Sequence, residues 1–129
     1  METFPSRYDF QTTVERLLAA FKDKGMTIFA RIDHAEAAHN AGLAMPPTQV
    51  LIFGNPRGGT PLMLAAPSVA LDLPLRVLVR DDGQGSTWVS FHNAAELERA
   101  HPLPAGSTAP LAAAQRLILG TVGAPGAPG

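Results

Sequence analysis

The pair of residues best suited to chemistry in this sequence is Asp33-His34. It stands where an apolar alternating segment ends and a helical pattern begins. A carboxylate beside an imidazole can act as an acid–base pair, because the carboxylate fixes the ring tautomer and raises its basicity. The same two residues have a plainer reading. Asp33 is a good helix N-cap, adjacent residues on a helix start do not face each other, and His34 is then a surface or hydrogen-bonded structural residue. A second candidate is Gly54-Asn55-Pro56-Arg57-Gly58-Gly59, which follows the apolar run Gln49–Phe53 and precedes a helix opened by Thr60 and Pro61. Such a loop can aim backbone N–H groups at an anion, with Arg57 adding charge. A nucleotide-binding loop would need Lys and a hydroxyl after its last glycine, and Thr60-Pro61 stands there instead. A structural turn is the simpler reading.

Other chemistries are excluded or unsupported by residue type and spacing. There are no cysteines, which removes disulfides, thiolate metal sites and a cysteine nucleophile. His34 and His39 are five positions apart, where one helical face requires three or four, and His92 and His101 fall on other elements, so no metal site is assigned. No Gly-x-Ser-x-Gly elbow occurs, and the sequence sets no serine beside a His-plus-acid pair. Asp72, Asp81 and Asp82 lack calcium-loop spacing.

These candidates need a scaffold, and the hydropathy pattern supplies one. Val14, Leu17, Leu18 and Phe21 form a single helical stripe, with Asp9 or Thr12 as cap and Gly25 as terminator. Met26–Ile32 alternates as a strand, a short helix follows from His34 to Ala41, and Gln49–Phe53 is a nearly continuous apolar strand. Leu75–Val79 and Thr87–His92 flank Asp82-Gly83-Gln84-Gly85 as a hairpin. Helices are expected at Ala94–Ala100 and Ser107–Leu119, and a weak strand near Thr3. The order reads as α+β: a two-layer sandwich with one mixed or mostly antiparallel sheet of about four to five strands and helices mainly on one face. If Met26–Ile32 and Gln49–Phe53 run parallel, Asp33-His34 and the Gly54 loop open on the same sheet edge, where ligand sites are commonly built.

Length and composition fit that scaffold. The 129 residues make one domain, expected over residues 1–120, with the Gly-Ala-Pro tail 121–129 disordered. Apolar residues are 46% and charged residues 16%, enough for a packed core. The net charge of -1 provides no excess of positive charge for nucleic acid or acidic lipid. No stretch reads as a signal peptide or a membrane span, so no membrane partner is expected and the cytoplasm is the default location.

Five segments also occur in a recognisable order: Ile32-Asp33-His34-Ala35, Ala38 with Gly42, Ile52-Phe53-Gly54-Asn55-Pro56, Gly59-Thr60-Pro61-Leu62-Met63, and Ala70-Leu71-Asp72-Leu73-Pro74-Leu75-Arg76. Over about Thr12 to His92 the chain resembles the family called domain of unknown function 302. The resemblance implies a small two-layer α/β sandwich that associates as a homodimer. It marks Asp33, His34, Gly54, Asn55, Pro56, Asp72 and Pro74 as motif positions and supplies no activity. After the hairpin the chain departs from the family pattern, with Phe91-His92-Asn93-Ala94 in place of an aromatic residue followed by a helix-opening proline.

Two functions follow. The favoured one is a dimerising module that binds a small ligand or a protein partner without catalysis. The alternative is a small enzyme in which His34 is the acid–base, Asp33 orients it, and Gly54, Asn55, Arg57, Gly59, Thr60 and Asp72 hold an anionic substrate. Neither reading names a cofactor.

Overall fold

The computed structural model describes residues 1–124. Five strands, β1 (Glu2–Ser6), β2 (Thr27–Asp33), β3 (Thr48–Gly54), β4 (Leu75–Asp81) and β5 (Thr87–Phe91), form one sheet in the order β1-β5-β4-β3-β2. Every neighbouring pair is antiparallel. Five helices accompany them: α1 (Phe10–Asp23), α2 (His34–Asn40), α3 (Pro56–Ala65), α4 (Ala94–Ala100) and α5 (Ala109–Val122). A 3₁₀ turn, Pro67–Asp72, leads into β4. The expected α+β sandwich is the fold observed. The parallel pairing of the second and third strands is not, since β2 and β3 form an antiparallel pair with Thr27 opposite Gly54 and Asp33 opposite Gln49.

Alternation decides which face is covered. Leu51 and Phe53 of β3, Leu75, Val77 and Val79 of β4, and Val89 and Phe91 of β5 are buried. The alternate positions Val50, Ile52, Leu78 and Trp88 are only half-buried. With period-2 alternation, this means that the helices pack on one sheet face. Phe91 therefore belongs to the core, near Phe4 at 6.1 Å between ring centroids.

The helical layer is anchored by α1, whose Val14, Leu17 and Phe21 are buried while Leu18 is partly so. Asp9 caps it, accepting from the Thr12 N–H at 2.8 Å, and Gly25 leaves the helix at a φ of 72°, a conformation that suits glycine. Phe21 stacks on Phe53 with centroids 4.0 Å apart and planes 8° from parallel. Helix α5 packs beside α1, with Leu111, Ala114, Ile118 and Val122 buried. It extends beyond the expected end at Leu119 to Val122, closes on Gly123 at a φ of 68°, and is followed by a buried Ala124. Apolar side chains at the helix end, rather than composition alone, decide order here, so residues 121–124 are part of the domain. The remainder of the expected tail, 125–129, lies outside the described residues.

The hairpin between β4 and β5 is held by Asp82. Its carboxylate accepts from the backbone N–H of Gln84 at 2.8 Å and of Ser86 at 3.1 Å, and from the Trp88 indole N–H at 3.1 Å. These bonds hold its carboxyl below the usual range, the Gln84 N–H contributing most and the indole next.

Two predictions follow from this packing. Phe21→Ala should destabilise the domain by about 3–5 kcal/mol, and Leu18→Ala by less, as measured by denaturant unfolding. Asp82 has a folded pKa depressed relative to the unfolded chain, so its contribution is present above the ordinary carboxylate pKa and is lost as pH falls through the lowered folded value. Trp88 is the only tryptophan. Its fluorescence should titrate in that acidic window and stop doing so in Asp82→Asn; an unchanged titration would show that another group controls it.

Candidate functional site

The antiparallel register separates the residues that the sequence grouped. Thr27 and Gly54 are at one end of the sheet, and Asp33 and Gln49 are at the other. Six residues of extended chain place Asp33-His34 about 20 Å from Gly54. The expected catalytic cluster is thus not formed. Asp33 is the N-cap of α2, accepting from the Glu36 N–H at 2.9 Å, and its second oxygen meets the Gln49 amide at 3.5 Å. His34 is exposed on a helix that contributes no buried residue.

The Gly54 end is different. Asn55, not Thr60, is the N-cap of α3, and Pro56, not Pro61, occupies its first turn. The Asn55 side chain accepts from the Arg57 N–H at 3.0 Å, while its carbonyl accepts from the N–H groups of Gly58 and Gly59, each at 2.9 Å. Donors that an anion-binding loop would offer are therefore engaged. The run of glycines had suggested a loop; with Asn55 as cap it becomes the first helical turn.

These glycines instead make room. A pocket of about 310 Å³ opens between β2, the end of β3, α3 and the start of α5. Met26, Phe29, Phe53, Met63, Leu73 and Leu111 provide apolar walls, and Gly54, Gly58 and Gly59 bring the backbone close. Asn55 and Thr60 are the polar side chains on its lining, and no charged side chain lines it. Of the expected ligand-binding residues, Gly54, Asn55, Gly59 and Thr60 thus converge on one cavity. Arg57 is exposed and outside the lining, and Asp72 borders a separate groove. Residues on the pocket that sequence reading did not single out for binding, such as Phe29, Leu73 and Leu111, are apolar and come from distant segments.

Asp72 is part of a further constellation. Its carboxylate meets His101 Nε2 at 2.6 Å, and Nδ1 of the same ring lies 2.8 Å from the Ser68 hydroxyl. The His101 side chain is only 7% exposed. Sequence alone gave no reason to join residues on the 3₁₀ turn with one just beyond α4. Near them, His92 Nδ1 approaches Glu96 at 2.7 Å, and the Met1 amino group also contacts Glu96. The amino group first, then His92, lower the Glu96 carboxyl to about 2. Among the described residues no group of His, Asp and Glu is arranged to hold a metal ion.

Comparison with known proteins bears on this arrangement. Residues 2–118 match the family described as Domain of unknown function DUF302. The chain belongs to that family. The crystal structure of an uncharacterized conserved DUF302 protein from Bacillus stearothermophilus superposes on this DUF302 chain with a TM-score of 0.76. It covers 95% of this chain and 94% of that one at 18% identity, a likeness of fold alone. Two curated relatives are each 44% identical over 101 residues, which is 78% of this chain: "Fluoride-specific ion channel FluC 1" of Brucella suis biovar 1 and "Fluoride-specific ion channel FluC 2" of Brucella melitensis biotype 1. The chain spans 40% of the first and 37% of the second. Among the described residues of the DUF302 chain, no helix is long and apolar enough to cross a membrane.

The separation of the two ends can be checked by mutation. Asp33→Ala should cost about 1 kcal/mol through loss of the cap. His34→Ala should leave thermal stability nearly unchanged and leave the chemical shifts of Gly54 to Thr60 in place. Shift changes in that segment would place His34 in communication with the pocket.

Proposed function

We propose that the domain is a non-catalytic binding module whose ligand is a small uncharged apolar molecule, held in the pocket at the Gly54 end of the sheet. The observation that carries this reading is the lining: apolar side chains from four segments, two polar side chains, and no charge. An anion would enter without a counter-charge and with the nearby N–H groups already bonded, which costs it most of its hydration. An apolar ring or short acyl chain matches the walls, and Asn55 or Thr60 can orient one polar atom. The catalytic alternative built on Asp33 and His34 loses its support with the antiparallel register.

The domain acts, in this reading, as a homodimer. Ile32 is 41% exposed and Phe29 50% exposed, and Val50, Ile52, Leu78 and Trp88 lie half-buried on the face without helices. A second copy laid on that face by two-fold symmetry would remove this apolar surface from water. The Brucella relatives support a module of this kind within a longer protein, since the matched segment is 37–40% of proteins named as ion channels. Binding a ligand beside such a channel, rather than forming its pore, is the role that fits this chain.

The test uses N-phenyl-1-naphthylamine, a neutral fluorophore that brightens in apolar surroundings. Saturable brightening is expected, and Gly59→Val should abolish it by filling the cavity. A Cβ added there would meet Leu73 Cδ1 at 3.8 Å, an ordinary contact on the pocket wall. Equal brightening in both proteins would set this site aside. Sedimentation should show a dimer that Leu78→Asp converts to monomer; a wild-type monomer at micromolar concentration would refute the dimer.

A further inference from the structure

A second cavity has the opposite chemistry. The groove of about 220 Å³ between the start of β4 and α4 is lined by Asp72, Leu75, Arg76, His92, Glu96, Leu97 and Ala100. Leu75 and Leu97 are almost completely buried and form an apolar floor. Charged groups of both signs stand around it. Asp72 is paired with His101, and Glu96 with both His92 and the Met1 amino group, whereas Arg76 has no carboxylate within 4.0 Å among the described residues. Arg76 is among the residues lining the groove, and an unpaired guanidinium is a fork suited to a carboxylate.

The Asp72 side of the groove is built rather than incidental. An ionised carboxylate only accepts hydrogen bonds, so His101 Nε2 carries the proton in the 2.6 Å contact with Oδ2. The Ser68 hydroxyl, 2.8 Å from Nδ1, can give or accept a hydrogen and so holds the ring in either charge state. His101 is nearly enclosed, and this chain fixes the Asp72 carboxylate by one oxygen while Oδ1 has no recorded partner among the described residues. The three groups resemble a hydrolytic triad in composition, but the hydroxyl end is absent from the groove lining and the carboxylate end is on it. The arrangement presents an acceptor, not a nucleophile.

We propose that this groove binds a small aliphatic amino acid as a zwitterion. Its ammonium is taken by Asp72, its carboxylate by Arg76, and its side chain by Leu75, Leu97 and Ala100. Both charges of the ligand are then matched, whereas a simple amine or a simple acid would match only one. The site is separate from the apolar pocket, although Leu75 lines both, so the two readings stand or fall independently.

Isothermal titration calorimetry of the full chain with L-leucine, isocaproate and isoamylamine tests it. These probes share a branched aliphatic chain and carry both charges, only the carboxylate, or only the ammonium. L-leucine should bind saturably at millimolar concentrations, and each singly charged analogue about tenfold or more weakly, the scale of one lost charge-assisted hydrogen bond. Arg76→Gln, a change at an exposed side chain, should weaken L-leucine by a similar factor while leaving isoamylamine unchanged. Asp72→Asn should do the converse, sparing isocaproate. No heat from L-leucine, equal binding of all three probes, or an Arg76→Gln protein that binds L-leucine as the wild type does would overturn the proposal.

Discussion

Phe53 presses one ring face against Phe21 of α1, and one residue later its strand ends at Gly54. Both rings are fully buried. Stacked pairs of this kind add to what burial alone contributes, and this one ties the helical layer to the sheet next to the place where the chain turns into α3. The cavity at that end has Phe53 as part of its lining. Loss of the stack would loosen both the core and the pocket, so the two share a residue.

That junction also explains why the Gly-rich segment behaves as it does. Asn55 satisfies the first N–H groups of α3 from its side chain and carbonyl, which commits Pro56-Arg57-Gly58-Gly59 to a helical turn. A Cβ on Gly58 would stand 3.5 Å from Pro110, and one on Gly54 3.5 Å from Pro74, both ordinary contacts, so the missing side chains leave open space rather than relieve a clash. The glycines thus shape a cavity wall instead of cradling an anion. Charge gathers elsewhere, around the groove beside α4, where Asp72, Arg76, His92 and Glu96 meet over an apolar floor. The molecule therefore separates an uncharged cavity from a charged one across Leu75.

The relatives place this architecture in context. The Bacillus stearothermophilus structure has the same fold at 18% identity, so the pattern of buried positions tolerates wide change in sequence. The Brucella proteins retain 44% identity over the matched segment while being much longer than this chain.

Much of the fold was legible in the residues themselves. The stripe Val14, Leu17, Leu18 and Phe21, the alternation in the strands, the caps Asp9 and Asp33, and the Asp82–Gly85 turn are local features, and local hydrogen bonding and periodicity set them. The family motifs were legible too, and four of the expected binding residues, Gly54, Asn55, Gly59 and Thr60, do share a cavity. Strand direction was not legible. A connection of fourteen residues containing a short helix, from His34 to Pro47, permits either a crossover or a return. Only the pairing of β2 with β3 placed Asp33-His34 at the far end from Gly54. Nor did the sequence indicate that Ser68 and Asp72 would meet His101, about thirty residues on. Local propensity acts over a few residues and fixes the elements. Which of their ends meet is decided by burying one face of each element in a single shared core, a condition that exists only in the assembled fold.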